Sequence, residues 1–245
     1  MSQTPQLRRL LPQPGTAPPA EAAAHLAGRQ VLILNMVASA DGHTTVEGRS
    51  RGIRGGAGDR AVFHALRAHA DAILVGTGTM RAERYGDWIR DDDVRAMRAQ
   101  AGLTQPPLGA TLSRRGDVPW DIPLFTSPAR VVVYSGVPIA VPASVTADVE
   151  VVVLEGADPA AAVADLRARG VRSILGEGGA HLNGALLAAG LVDELHLVIA
   201  PQVVGGADAL TVVQGALRRD VALELLDAFE AQDALLLRYR IAPGL

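Results

Sequence analysis

The 245-residue chain has no cysteine. That absence removes disulfides, thiolate nucleophiles, iron–sulfur clusters and cysteine-ligated zinc together. Histidine is scarce as well, and His43, His64, His69 and His181 have no partner at metal-ligand spacing, so no metal is assigned. Aromatic residues make up only 3% of a chain that is 49% apolar. The interior must therefore be Val, Leu, Ile and Ala, the usual filling of parallel strands covered by helices. A charge excess is also missing: the formal net charge is −3, which gives no reason to expect nucleic acid, normally bound by a strong basic excess. Local arginine clusters stay available for small phosphates. No apolar run reaches the roughly 18–20 residues of a membrane helix. Pro12, Pro14, Pro18 and Pro19 follow Arg8 and Arg9 too closely for a signal-type apolar core to form. A cytoplasmic protein is expected, with catalysis left to carboxylate, hydroxyl, histidine or a bound cofactor.

The length suits one large α/β domain. Residues 1–29, rich in Pro, Ala and Gln, read as a flexible leader with a short helix near Ala20–Leu26. The domain is expected over 30–245. It opens on the buried strand Val31–Val37, which carries one amide, Asn35, and continues into an unusually long polar loop from Ser39 to Gly58. Helical spacing follows Asp59 through Val62, Phe63, Leu66 and Ala70. A charged helix is expected over 91–100, strands over 108–112, 131–134 and 150–154, and a helix over 159–169 stopped by Gly170. Leu191–Ala200 reads as a long strand, and 221–229 with 234–241 as an antiparallel hairpin around Gln232-Asp233. A mostly parallel central sheet with helices on both faces and an antiparallel C-terminal hairpin follows. Its long apolar strand and tail hairpin make a sheet edge that needs cover, which a homodimer would supply.

Two stretches share one design. In Ala72-Ile73-Leu74-Val75-Gly76-Thr77-Gly78-Thr79 and in Ser173-Ile174-Leu175-Gly176-Glu177-Gly178-Gly179-Ala180, an apolar β-branched run stops at glycine and a helical pattern begins. A helix starting on glycine aims unpaired N–H groups and its positive dipole end at whatever lies above the turn. Each is a candidate phosphate cradle, and two favour a ligand with two phosphate groups.

These motifs, with Ala38-Ser39-Ala40-Asp41-Gly42, Leu66-Arg67-Ala68, and the block Gly190-Leu191-Val192-Asp193-Glu194-Leu195 with Ile199-Ala200-Pro201, resemble in order the pyrimidine reductases of riboflavin biosynthesis, which have a dihydrofolate-reductase-like fold. The resemblance runs from Gln30 to the C-terminus. It implies hydride transfer from NADPH to the ribosyl carbon of a phosphorylated aminopyrimidine such as 5-amino-6-(5-phosphoribosylamino)uracil. Such chemistry needs no metal and no covalent nucleophile, only two ligands held edge to edge with water excluded.

On this resemblance, Gly76, Thr77, Thr79, Gly178, Gly179, Ala180 and Leu182 would meet the cofactor, and Ser113 and Arg114 the 2′-phosphate of NADPH, since a guanidinium fork suits a dianion. Asn35, Ser39, Asp41, Glu83 and Arg90 are the substrate-binding candidates, and Asp59 and Glu177 the catalytic carboxylates. Asp59 stands about where dihydrofolate reductases carry their pterin-binding acid, and reads equally well as a helix N-cap. The chain departs from the family pattern at Asn35 (commonly lysine), at Ala40, at Ala82-Glu83-Arg84-Tyr85 (often Ala-Asp-Asp-Pro), and at the Gly-Ala-Gly-Asp ending in Asp59. All of these sit around the substrate. Reduction of dihydrofolate or another pterin-like substrate, and a non-catalytic NADPH-binding protein, are the competing readings.

Overall fold

The computed structural model describes residues 5–103, 105–206, 210–217 and 219–242. Its chain order is β1 (Leu7–Leu11), β2 (Gly15–Ala17), α1 (Pro19–Ala23), β3 (Val31–Ser39), α2 (Gly56–His69), β4 (Ala72–Leu74), α3 (Thr77–Glu83) and α4 (Asp92–Gln100). There follow β5 (Leu108–Ser113), β6 (Arg130–Ser135), β7 (Asp148–Val153), α5 (Pro159–Ala168), β8 (Ser173–Gly176), α6 (Ala180–Ala188), β9 (Glu194–Ala200), β10 (Leu223–Ala231) and β11 (Ala234–Ile241). One sheet holds all these strands in the order β2-β1-β10-β11-β9-β3-β8-β4-β5-β6-β7. From β9 to β7 every pairing is parallel, and from β2 to β9 every pairing is antiparallel.

The parallel half explains the near-continuous apolar strands. Val31 and Ile33 of β3 pack with Val62 and Leu66 of α2, while Leu32 and Leu34 face the opposite layer with Ala162 and Leu166 of α5 and Leu186 of α6. Both faces are buried, so residues at both parities must be apolar. Local chemistry sets the connections. The Asp158 carboxylate accepts from the N–H groups of Ala160 and Ala161, Pro159 takes the first helical position of α5, and Gly170 leaves the helix at φ +86°.

Residues 7–26 depart from the expected loose leader. β1 pairs antiparallel with β10, β2 pairs with β1, and a 3-10 turn at Ala24–Leu26 continues α1. Leu7, Ala17, Ala23 and Leu26 are fully buried against α2 and Phe229. Their apolar residues are too few and irregular to show a period, and only the free edge of β10 gives them a partner. The short helix near Ala20–Leu26 does form. No helix among the described residues is long and apolar enough to cross a membrane.

Candidate active site

The parallel strands β3, β4, β5 and β8 all end at one cleft of about 1460 Å³. Ligands in open α/β sheets bind outside such carboxyl ends, and this volume exceeds the ~300–1,000 Å³ of an ordinary small-molecule pocket. That volume leaves room for more than one small molecule.

β4 and β8 are neighbours in the sheet, so the two glycine turns lie together. The Gly76 N–H donates to the Gly178 carbonyl at 2.8 Å. Gly178 has φ +81°, a conformation that disfavours any side chain, and the Gly178–Gly179 peptide is cis. A Cβ on Gly76 would stand 3.3 Å from the Gly179 nitrogen, and one on Gly179 would stand 2.8 Å from Thr79 Oγ1. Backbone therefore meets backbone with nothing between. α3 and α6 start from this junction without a capping side chain. The first three N–H groups of each helix have no partner inside it. Thr77, Thr79, Ala180 and Leu182 all line the cleft, as the sequence suggests.

Ser113 ends β5, and with Arg114 and Arg115 just after it lies on the same cleft. Both guanidiniums are exposed and without an ion pair or hydrogen bond among the described residues. They are available to an anion.

The carboxylates behave differently from one another. Glu177 lies in the cleft wall with its side chain 2% exposed, gripped by Arg67 through Nε–Oε1 and Nη2–Oε2 bonds of 2.7 Å each, and Tyr85 donates its hydroxyl to Oε2 at 2.9 Å. Arg67 also donates to the Trp88 carbonyl and lies over the Phe63 ring. Burial alone would lower the Arg67 pKa, but Glu177 holds it above its usual range. Burial, reinforced by Glu177, pushes Tyr85 well above the ordinary phenol value. Arg67 and Tyr85 were not singled out in the sequence. The signal for Arg67 lay inside the Leu-Arg-Ala motif, where it reads as an ordinary surface arginine of an amphipathic helix.

Asp59 also lines the cleft, but it is not a helix cap. α2 begins three residues earlier, at Gly56, and Gly55 is its N-cap without a side-chain bond. Asp59 sits in the first turn, where burial pushes its carboxyl up to about 6 against the lowering effect of Arg60.

Asn35 lines the cleft as expected. Glu83 does too, but it accepts from the Ser50 N–H at 2.6 Å and the Ser50 hydroxyl at 3.0 Å, tying the long loop after β3 to α3. Ser39 and Asp41 are not brought to the cleft. The Ser39 hydroxyl donates to Asp41 at 2.6 Å, and Asp41 accepts from the N–H groups of Val204 and Gly205. These bonds hold the Asp41 carboxyl below the usual carboxylate range, and they pin the loop after β3 to the segment after β9. Arg90 lies outside the main cleft, in an adjoining depression of about 380 Å³ with His64, Arg67 and Trp88. The two spaces share Ser50, Phe63, Glu83 and Tyr85.

A separate buried group joins His25 of the N-terminal segment to Glu194 and His196 of β9, with the histidine Nε2 atoms 3.2 Å apart. The sequence offered no sign of this meeting. Burial brings His196 down to about 3, so it is neutral at physiological pH. Arg29 and Arg238 already pair with Glu194, at 2.8 and 3.3 Å. A dication there would face two guanidiniums, so the cluster serves to dock the N-terminal segment on the sheet.

Comparison with known proteins agrees with this architecture. Residues 30–237 match the family model described as the RibD C-terminal domain. A curated relative from Archaeoglobus fulgidus, named 2,5-diamino-6-ribosylamino-4(3H)-pyrimidinone 5′-phosphate reductase, is 31% identical over 76% of this chain and 87% of its own length. A relative of the same name from Methanothermobacter thermautotrophicus is 30% identical over 87% of this chain and 99% of its own. Among solved structures, a pyrimidine reductase-like protein of Corynebacterium diphtheriae superposes with a TM-score of 0.77 at 22% identity, covering 92% of this chain and 99% of that one.

Proposed function

The chain belongs to the RibD C-terminal domain family, and from that premise we propose that it is the NADPH-dependent reductase of a ribosylaminopyrimidine 5′-phosphate in riboflavin biosynthesis. The observation that carries this reading is the double glycine cradle: two uncapped helix starts, joined backbone to backbone, open on a cleft large enough for a dinucleotide and a second ligand. The N–H groups and hydroxyls at Thr77–Thr79 and the N–H groups at Ala180–Leu182 would hold the pyrophosphate. Ser113, Arg114 and Arg115 would hold the 2′-phosphate. Bound there, a reduced nicotinamide supplies the hydride.

The protein's part is placement. Arg67 and Tyr85 occupy both oxygens of Glu177 and fix the wall beneath the reacting ring. Asp59 of α2 and Asn35 of β3 line the same cleft and would meet the ring there, and Glu83 ties the loop after β3 to α3 beside them. The adjoining depression gives Arg90, beside Arg67, a place to take the substrate phosphate. The pterin reading rested on Asp59 alone, whereas the named relatives are pyrimidine reductases. The same relatives are catalysts, which removes the reason for a non-catalytic reading.

Steady-state oxidation of NADPH in the presence of the diaminopyrimidinone phosphate tests the activity directly; no turnover by a protein that binds NADPH would overturn it. The cofactor assignment has its own test. Arg114→Ala should weaken NADPH by roughly 1.5–3 kcal/mol, the scale of a hydrogen bond to a charged group, and leave NADH unchanged. Equal affinity of the parent for both cofactors, measured by calorimetry, would sink the 2′-phosphate site.

A homodimer and a cytoplasmic location belong to the same proposal. In the register of β9, β11 and β10, Leu195 lies opposite Tyr239, Leu197 opposite Leu237, Ile199 opposite Leu235 and Leu225 opposite Tyr239. Directly opposed residues share a face. Here Leu223, Leu225 and Leu235 stay 45%, 41% and 39% exposed, because α1 and α2 cover only the other side. A second copy would bury this stripe. Leu225→Glu should convert the dimer to monomer in sedimentation equilibrium, and a parent that sediments as a monomer at micromolar concentration would refute the assembly.

A further inference from the structure

Four carboxylates line the cleft, and three of them are committed within the protein. Glu177 is held by Arg67 and Tyr85, Glu83 by Ser50 and Arg51, and Asp117 by Arg81. Asp59 alone has no hydrogen bond or ion pair among the described residues, although burial is the main influence on its carboxyl. Room has been made for it. A Cβ on Gly55 would collide with Asp59 Oδ2, so the carboxylate occupies space that only glycine leaves at the start of α2. A half-buried acceptor facing a cleft, with no donor of its own, calls for donors on the ligand.

The reductase reading, on which this inference rests, admits two pyrimidine rings that differ at C2. The 2,5-diamino-4(3H)-pyrimidinone ring presents two adjacent donors, N3–H and the 2-amino group. The uracil ring presents N3–H beside a carbonyl oxygen. A carboxylate takes the first edge with two parallel N–H···O bonds, as it takes a guanidinium fork. Against the second it keeps one bond and sets oxygen against oxygen. We propose that Asp59, in the space left by Gly55, is the specificity-determining residue of this enzyme, pairing with the 2-amino and N3–H edge and rejecting the 2-oxo ring.

Discrimination of this kind is strong, because the wrong ring leaves one carboxylate oxygen unpaired and facing a carbonyl oxygen. Calorimetry in the absence of NADPH reads it without turnover, using the two ribosylaminopyrimidine phosphates as probes. The parent should bind the diaminopyrimidinone roughly a hundredfold more tightly than the uracil, the order expected from one lost bond to a charged group. Asp59→Asn supplies an amide that can donate to the 2-oxo group, and should remove most of that preference or reverse it. Gly55→Ala keeps the charge but displaces the carboxylate, and should reduce the preference in the same direction. Equal affinity of the parent for the two rings, or a preference that survives in Asp59→Asn, overturns the assignment of Asp59 and leaves the reductase reading intact. Failure of the parent to bind either ring while it binds NADPH overturns both.

Discussion

Asp59→Asn should melt at a higher temperature than the parent at neutral pH, even as it loses its grip on substrate. Burial raises the carboxyl from the usual 3.8 to about 6 in the folded protein. The folded state therefore holds this proton more tightly than the unfolded chain does. The corresponding stability is fully present below pH 3.8 and is lost as the pH rises through about 6. At neutrality the ionised group costs the fold on the order of 2–3 kcal/mol, taking roughly 1.4 kcal/mol per pKa unit. Asparagine carries no charge, so the variant should gain roughly 5–10 °C in Tm above neutrality and nothing well below pH 3.8, where the parent's carboxyl is also neutral. Melting curves across that pH range decide the matter. A Tm difference independent of pH would mean that the carboxylate is solvated, and its place in the cleft would lose its meaning. A group that weakens the fold at working pH is tolerated where function needs it.

The opposite sign is expected at Arg67. Its side chain is 14% exposed, and that of Glu177 is 2% exposed. Arg67→Met removes the cation and leaves the carboxylate buried with only Tyr85 beside it, which should cost roughly 3–5 kcal/mol. Arg67→Met combined with Glu177→Met should recover most of that loss, because two well-packed apolar side chains replace a buried pair at little net cost. Urea denaturation of the parent, both single variants and the double variant completes the cycle. Additive single effects would show that the pair is not coupled. Turnover should be absent in all three variants, since the pair fixes this wall of the cleft proposed to hold the substrate.

Much of the architecture was legible because it depends on local pattern. Both-face burial requires the apolar runs at Val31, Ala72, Val131 and Ser173, and the glycines at 76, 178 and 179 stand where two helices start at the close meeting of β4 and β8. The positions of Thr77, Thr79, Ala180, Leu182, Ser113 and Arg114 on the cleft follow from those starts and from the end of β5. The place of Asp41 was not legible, because an Asp-Gly turn looks the same whether its carboxylate faces a ligand or, as here, the backbone of Val204 and Gly205. Arg67 was missed for the complementary reason: its partner Glu177 lies 110 residues away and joins it only across the packed α2 and β8.

From β3 onward the sequence alone determined the order of strands and helices, the two glycine turns and the classes of chemistry available without cysteine, since each depends on residues within a turn or two of one another. Tertiary structure decided which carboxylates are free. Glu177, Glu83 and Asp41 each find donors contributed by distant elements, while Asp59 finds none among the described residues and lines the cleft. It also decided that residues 7–17 extend the sheet, because a strand needs an unpaired edge to become one, and only the folding of β10 creates that edge.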